Sequence, residues 1–381
     1  MDFNLSEEEV LIQATVHELA QEKFKERSQK IDEESLFPEQ NIKELAELGL
    51  LGSIIEEKYG GAEASTMSYS LILEEISQAC ASTSVIVSVT TMVGLAIQRS
   101  GNEEQKQNYI PKIAEGQTLG AFCLTEPNAG SDPSSMKTTA KLEGENYILN
   151  GQKLWITNAS HSDIFLVMAN EDPKLGRKGI SAFVVEKSKI KSGTFTIGPP
   201  ERKMGLNGSH TSAIFFDNLL IPEENRLGGK GEGLGIALKS LDTGRIGIAS
   251  QALGIAQAAF DSSVNYAKER EQFGQAIGKF QGVSFKIADM KMKLDTSRLV
   301  TRKAAWMNDQ GLNHTMESSI AKAYATEAAF DITAQAIRVH GGMGFSKELP
   351  LERYHRDIQA TLIYEGTNEI QRLVISRNLG L

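Results

Sequence analysis

Cysteine is nearly absent from this sequence. Its 381 residues include two cysteines, Cys80 and Cys123, far apart and outside any CxxC pair. That excludes a disulfide framework and points to a reducing compartment. The six histidines show no HExxH or Cys/His ligand spacing, so no metal site is expected. Basic residues are also short, at 40 against 49 acidic ones, for a net charge of −9. Nucleic acid is thereby excluded as the main partner, because neutralising phosphates needs a basic face. A local basic pocket for a small anion stays compatible with that total. The start, MDFNLSEEEV, is acidic where a secretory signal needs a basic region followed by an apolar run. No apolar stretch approaches the ~20 residues of a membrane span. The expectation is a soluble cytoplasmic protein without low-complexity tracts or fixed-period repeats.

Proline is missing from an entire third of the chain. Six of the nine prolines fall between Pro127 and Pro222, and none lies between Glu223 and Leu349. Proline breaks helix interiors and is tolerated at strand edges and turns. The centre is therefore expected to be strands and loops, and the last third long helices. From Arg245, apolar Ile246, Ala249, Leu253, Ala256, Phe260 and Val264 recur at helical spacing. Ser284 to Gln310 and Met316 to Val339 are further long helices, the second capped at Gly341-Gly342, and a short one runs from Thr367 to Arg377. Tyr147–Leu149, Ile164–Met168, Ser181–Val185 and Ala213–Phe216 are β-prone runs bounded by turn residues. The first 120 residues are helical again, opening on a cap at Leu5-Ser6-Glu7-Glu8-Glu9 and continuing through Leu71–Ala79 and Glu103–Ala114. The predicted order is α (1–120), β (121–232), α (233–381), consistent with a length that favours several domains.

Six segments carry candidate chemistry, each with a plainer alternative. The glycines of 228–235 fail the GxGxxG register and read as a linker. Thr125-Glu126-Pro127-Asn128-Ala129-Gly130-Ser131-Asp132 is either an anion-binding nest or an ordinary loop. Trp155-Ile156-Thr157-Asn158 is either one wall of a flat aromatic ligand or a core Trp in a strand. Arg270 ends a helix, where it meets a phosphate or complements the dipole. Asp242-Thr243-Gly244-Arg245 is read as opening the first bundle helix, where either Arg245 meets an anionic ligand or Asp242 is simply an acid favouring a helix start. Tyr364-Glu365-Gly366-Thr367-Asn368-Glu369 places a carboxylate just before a helix start. It serves either as a general base or as a surface acid at the N-terminus.

Six runs, FCLTEPNAGSD (122–132), WITN (155–158), LDTGRIGIASQALGIAQ (241–257), EREQFG (269–274), HGGMGF (340–345) and IYEGTNEIQRLVISR (363–377), occur in the order of the acyl-CoA dehydrogenase family. The chain resembles that family over essentially its whole length, and most closely its short-chain, butyryl-CoA members. The resemblance implies an α+β multi-domain fold: an N-terminal α-helical domain, a central β-barrel or sandwich, and a C-terminal four-helix bundle. It implies bound FAD, acyl-CoA as substrate, electron-transfer flavoprotein as acceptor, and a homotetramer built as a dimer of dimers. Phe122, Leu124, Thr125, Gly130 and Ser131, with Trp155, Ile156 and Thr157, are implied to border the flavin and its phosphates. Arg270, Phe273, Gln281 and the segment Arg338, Val339, His340, Gly341, Gly342 are implied to reach FAD of a neighbouring subunit. Arg338 departs from the family's usual Gln there. Thr367, Asn368 and Glu369 are implied to close the cofactor site. Ser131, Asp242, Thr243, Gly244, Arg245, Tyr364 and Gly366 are implied to touch acyl-CoA. Glu365 stands where most of the family place the base that removes the α-proton while hydride leaves for flavin N5. Its backbone N–H and the flavin ribityl hydroxyl are implied to bind the thioester carbonyl. Isovaleryl-type members carry the base at the position of Gly244, which here has no side chain. The other readings weighed are medium-chain or branched-chain specificity, a non-catalytic flavin-binding protein on the same scaffold, and a helical structural protein.

Overall fold

The computed structural model describes residues 4–381; the first three residues of the acidic start lie outside them. Ser6 caps α1 (Glu7–Leu19) through a capping box, its hydroxyl accepting from Glu9 N–H while the Glu9 carboxylate accepts from Ser6 N–H. A π-helical turn, Ala20–Phe24, leads into α2 (Lys25–Glu33). Then follow α3 (Glu39–Glu47), α4 (Thr66–Ala79), α5 (Ala81–Ser100) and α6 (Glu103–Ala114). Two expectations are corrected here. α5 is long and apolar enough to cross a membrane, and the sequence reading missed it. Of its most apolar window, 94% is buried inside the protein, so it is read as a core helix. Pro111 sits within α6 despite proline's aversion to helix interiors; it occupies the last turn, where the helix forgoes one N–H bond and ends three residues later.

The central strands are β1 (Leu119–Cys123), β2 (Thr139–Glu143), β3 (Asn146–Thr157), β4 (Ser162–Asn170), β5 (Ile180–Glu186), β6 (Phe195–Pro200), β7 (Thr211–Pro222) and β8 (Arg226–Leu227). They pair in the order β6-β7-β3-β2-β4-β5-β8, with β1 parallel to β4. β2 meets β4 through one residue pair, Thr139 with Asn170, so the sheet folds over at that seam. β4 explains its own continuous apolar run. Phe165, Val167 and Ala169 face a core inside the folded sheet, while Ile164, Leu166 and Met168 face a second core shared with the helices.

The chain then enters α7 (Gly233–Glu269), a small hairpin of β9 (Glu271–Gln272) and β10 (Gln275–Ala276), α8 (Gln281–Asp309), α9 (Thr315–His340), a short α10 (Gly342–Phe345), α11 (Leu351–Thr361) and α12 (Asn368–Asn378). α11 was not foreseen. α7 begins at Gly233, so the predicted linker shrinks to 228–232, and Asp242–Arg245 lies inside the helix instead of opening it. α7 is the axis of the molecule, packing on α4 and α5 on one side and on α8, α9 and α11 on others. Mid-helix glycine normally weakens a helix by about 1 kcal/mol. Gly247 is nevertheless required, because a Cβ there would lie 2.7 Å from Ser88 Oγ and 2.8 Å from Tyr69 OH. Both cysteines are buried and free.

Lys153 on β3 is fully buried and pairs with buried Glu126 at 2.7 Å, while also donating to Leu124 O. Removing one member of such a pair strands the other. Lys153→Met is expected to destabilise the chain by about 3 kcal/mol, read as a lowered urea midpoint, and a midpoint equal to wild type would refute the role.

Candidate active site

The segment between α11 and α12 turns sharply, with left-handed backbone at Glu365 (φ 55°) and Gly366 (φ 88°). Such a φ is uncommon in a residue bearing a side chain, and it concentrates where surrounding structure enforces it. It throws the Glu365 side chain across onto α7. A methyl on Gly244 would lie 2.5 Å from Glu365 Oε2 and 3.1 Å from Met92 Sδ of α5. The carboxylate therefore rests on bare helix backbone, in space that exists because residue 244 is glycine. Glu365 is half-buried as a residue, but its Oε2 is buried and has no hydrogen-bond partner. Burial pushes its pKa up to about 7, opposed by the charges of Arg245 and Lys322. Thr367 caps α12, its hydroxyl accepting from Ile370 N–H.

α7 supplies the other half of the site. Arg245 is buried and pairs with Asp242 at 2.7 Å one turn earlier. The second Asp242 oxygen accepts from Thr315 Oγ1, and Thr243 Oγ1 accepts from Arg99. Beyond Gly244 along the helix the space closes. Tyr69 OH and Ser88 Oγ, 3.1 Å apart, face Gly247. Gln251, held by Ala81 O, accepts from the Tyr364 hydroxyl. Met92, Tyr69, Ser88, Gln251 and Lys322 are site residues that sequence reasoning missed. On the page they look like the ordinary interior of apolar or alanine-rich helices.

The β-strands build a separate face. Leu154 N–H donates to Thr125 O at 2.9 Å, joining the TEPNAGSD loop to the WITN segment. Glu126 anchors that loop by accepting from the N–H groups of Lys137 and Thr138. Trp155 lies at a β-bulge with φ 60° and is 53% exposed, which rules out the core-tryptophan alternative. Behind it Asn158 is buried and donates to Ile86 O, Thr90 Oγ1 and Gly120 O. An exposed indole on the strand that carries Thr157 and is bonded to the Thr125 loop suits a flat heteroaromatic ring. Gly130 and Ser131 lie exposed in the adjoining loop, with open space where a Gly130 side chain would be. Leu124 and Ile156 are buried, so they offer backbone to such a ring, and half-buried Phe122 packs toward the helical core.

The remaining predicted residues divide. Arg270, Phe273, Gln281 and Arg338 are exposed, and Phe273 reaches 94% at the tip of the β9–β10 hairpin, with φ 52°. His340 is turned inward instead: its ring stacks on Tyr266, and its nitrogens meet Ala336 O and Ser262 Oγ. Val339 is buried, while Gly341 and Gly342 are exposed. Asn368 is also committed to the interior, accepting from Lys322 and donating to Thr326 and Glu327. Those two side chains are structural, which leaves their backbones, with exposed Glu369 and the 341–342 glycines, to face a ligand.

Residues 6–117, 121–219 and 231–380 match, in order, the N-terminal, middle and C-terminal domain models of acyl-CoA dehydrogenase. The chain is 44% identical to the short-chain specific acyl-CoA dehydrogenase of Clostridium acetobutylicum over 99% of both chains. Among solved structures it is similar to butyryl-CoA dehydrogenase from Megasphaera elsdenii, with a TM-score of 0.97, 40% identity and full coverage of both chains. It also matches a chain in a structure of the electron transferring flavoprotein of Acidaminococcus fermentans, with a TM-score of 0.97, 41% identity and coverage of 100% of this chain and 99% of that one.

Gly244→Ala isolates the close approach of Glu365 to α7. Alanine's helix preference of about 1 kcal/mol opposes the overlap, so thermal stability should change little. A crystal structure of the variant should show the carboxylate displaced; an unmoved side chain would contradict the geometry above.

Proposed function

The chain belongs to the acyl-CoA dehydrogenase family, and from that premise we propose that it converts short-chain, butyryl-CoA-like thioesters to trans-2-enoyl-CoA with Glu365 as the base. It is an acyl-CoA dehydrogenase with FAD as its cofactor. Phe122, Leu124, Thr125, Gly130, Ser131 and the Trp155–Thr157 segment would hold the cofactor, which when bound supplies the acceptor for the hydride leaving the β-carbon. The observation that carries the reading is the buried, unpartnered Glu365 carboxyl resting on Gly244.

The chain's own groups account for the α-proton. A carboxylate out of water with a pKa near 7 is a stronger base than a solvated one and is still ionised in a large share of molecules at neutral pH. The Glu365 N–H donates to no backbone carbonyl of the described residues. It is free to donate to the thioester oxygen as negative charge develops there, which acidifies the α-carbon. The electron pair of the α C–H bond becomes the new C=C bond as the proton passes to Glu365. Arg245 pairs with Asp242, which leaves its charge still acting on Glu365, and keeps a buried Nε without a partner. It and Lys322 keep the region around Glu365 positive enough for the base to ionise.

Short-chain preference is supported by what lies past Gly244. Tyr69 of α4 and Ser88 of α5 press on Gly247 in the next turn of α7, and the Tyr364–Gln251 pair follows ~10 Å from Gly244 by the helix rise. A polar floor that near disfavours longer alkyl tails, whose burial would leave those groups unsatisfied. Electron-transfer flavoprotein as acceptor belongs to the same proposal and is supported by the likeness to a chain in a structure of that name. Cytoplasmic placement is supported by two free, buried cysteines. A homotetramer is supported by α8, where Phe285, Met292, Leu299 and Trp306 recur every seven residues and are 62%, 61%, 53% and 49% exposed. An apolar stripe of that kind suits burial against a second copy. Phe273 and Arg270 would then reach a neighbour's cofactor.

With FAD-loaded protein under anaerobic conditions, butyryl-CoA should bleach the flavin absorbance, and bleaching should slow as the acyl chain lengthens. Glu365→Gln should bind the same ligand and lose bleaching by roughly 10⁴-fold, the upper range for a positioned base. A Gln variant that bleaches normally would sink the base assignment, and a rate peaking on long chains would sink the short-chain preference. Leu299→Glu should reduce the sedimenting mass to that of a smaller assembly, and an unchanged mass would argue against α8 as an interface.

A further inference from the structure

Lys322 lies in the middle of α9 with its side chain wholly withdrawn from solvent. Its ammonium donates to Gly366 O at 2.8 Å and to Asn368 Oδ1 at 2.8 Å. These acceptors follow Glu365 by one and three positions, so one cation ties the carboxylate-bearing turn to the first turn of α12. Asn368 extends the tie to Thr326 and Glu327 on α9. From the other side Gln371 Nε2 donates to Glu365 O at 3.1 Å and Gly366 O at 2.8 Å. Two consecutive left-handed residues, one of them not glycine, need such external restraint.

Both acceptors of the ammonium are neutral, and a buried cation without a counter-charge is strongly disfavoured. The charged groups that act on it are Glu365 from the loop, Arg245 from α7, Glu327 from its own helix and Glu369 from α12. Arg245 is paired with Asp242, Glu327 is paired with Arg372, and Glu369 is exposed. Around Glu365 itself stand Arg245, Lys322 and the phenols of Tyr69 on α4 and Tyr364. Glu365, with an unpartnered buried oxygen, is the carboxylate left to balance Lys322.

We propose that Lys322 is a positioning residue for the dehydrogenation: it straps the Glu365 turn into its left-handed conformation and, as a buried ammonium that does not touch the carboxylate, biases Glu365 toward its ionised form. The proposal rests on the reading of Glu365 as the base. Burial lowers the Lys322 pKa to about 7 while raising that of Glu365 to about 7, and each is opposed by the other's charge. The two therefore titrate as a coupled pair. Removing the cation removes one influence that favours the carboxylate, so the Glu365 pKa rises and the ionised base appears at higher pH.

The test uses the FAD-loaded full chain and follows anaerobic flavin reduction by butyryl-CoA on both sides of neutrality. Lys322→Gln keeps a hydrogen-bond donor and loses the charge. It should move the rising limb of the rate profile alkaline by about one pH unit, a loss of about tenfold on the acid side that is recovered on the alkaline side. Gln371→Ala loosens the turn from the other side without touching the ammonium, and should slow the reaction equally at all pH values. Infrared titration of the Glu365 carboxyl, taken as a difference against Glu365→Gln, should show the same alkaline shift in Lys322→Gln without turnover. If Lys322→Gln does not retain FAD, Lys322→Met gives the same two readouts. A pH-independent loss with an unmoved carboxyl titration would make Lys322 a strut and overturn the proposal. Normal flavin reduction by Glu365→Gln would instead overturn the base reading, with the infrared shift of Lys322→Gln still able to stand.

Discussion

A carboxyl group pressed against bare helix backbone, out of water and without a hydrogen-bond partner, is the constraint around which this molecule is organised. Left alone, such a group would swing toward solvent or stay protonated. It stays because three independent elements meet around it. α7 offers Gly244 as a seat, α5 closes the side with Met92, and the α11–α12 turn is held in a left-handed conformation that aims the side chain inward. Arg245 and Lys322 offset part of the desolvation, so the group titrates near neutrality and does not remain protonated throughout the physiological range.

The long α7 makes this meeting possible. It packs on α4 and α5 of the N-terminal helical part and on α8, α9 and α11 of the bundle. Glycines at 244 and 247 let side chains from α4, α5 and the α11–α12 turn approach its backbone. The same close approach brings Tyr69 and Ser88 against Gly247, one turn beyond Gly244. Reactivity and chain-length preference, as proposed here, are thus two consequences of one helix surface.

The strained backbone positions mark the same places. Among the described residues eight non-glycine residues have positive φ, and Trp155, Phe273 and Glu365 are three of them. Each is a large or charged side chain turned away from the direction a relaxed strand, hairpin or loop would give it. Trp155 faces outward at a bulge braced by Asn158, Phe273 stands at an exposed hairpin tip, and Glu365 points into the interior. Conformational strain and the proposed chemistry coincide because an unusual side-chain direction requires an unusual backbone.

Much of this was written in the sequence. The absence of proline between Glu223 and Leu349 and the apolar spacing from Ile246 dictate long helices, and the β-prone runs bounded by Gly, Asn and Pro dictate the central strands. The ordered motifs identify the family, and with it the candidate base at Glu365. These features are local or depend on order, and a linear pattern can carry them. What the pattern could not carry is proximity between distant segments. The run from Met316 to Val339 that holds Lys322 reads only as a long helix, and Asp242–Arg245 as a helix start. Only packing decides that Lys322 reaches Gly366, that α5 lies inside the protein, that α7 begins at Gly233, and that His340 and Asn368 turn inward. The electrostatics of Glu365 belong to that second class, because desolvation and the charges of Arg245 and Lys322 act on it only once residues 43 and 120 positions apart in the chain have been folded together.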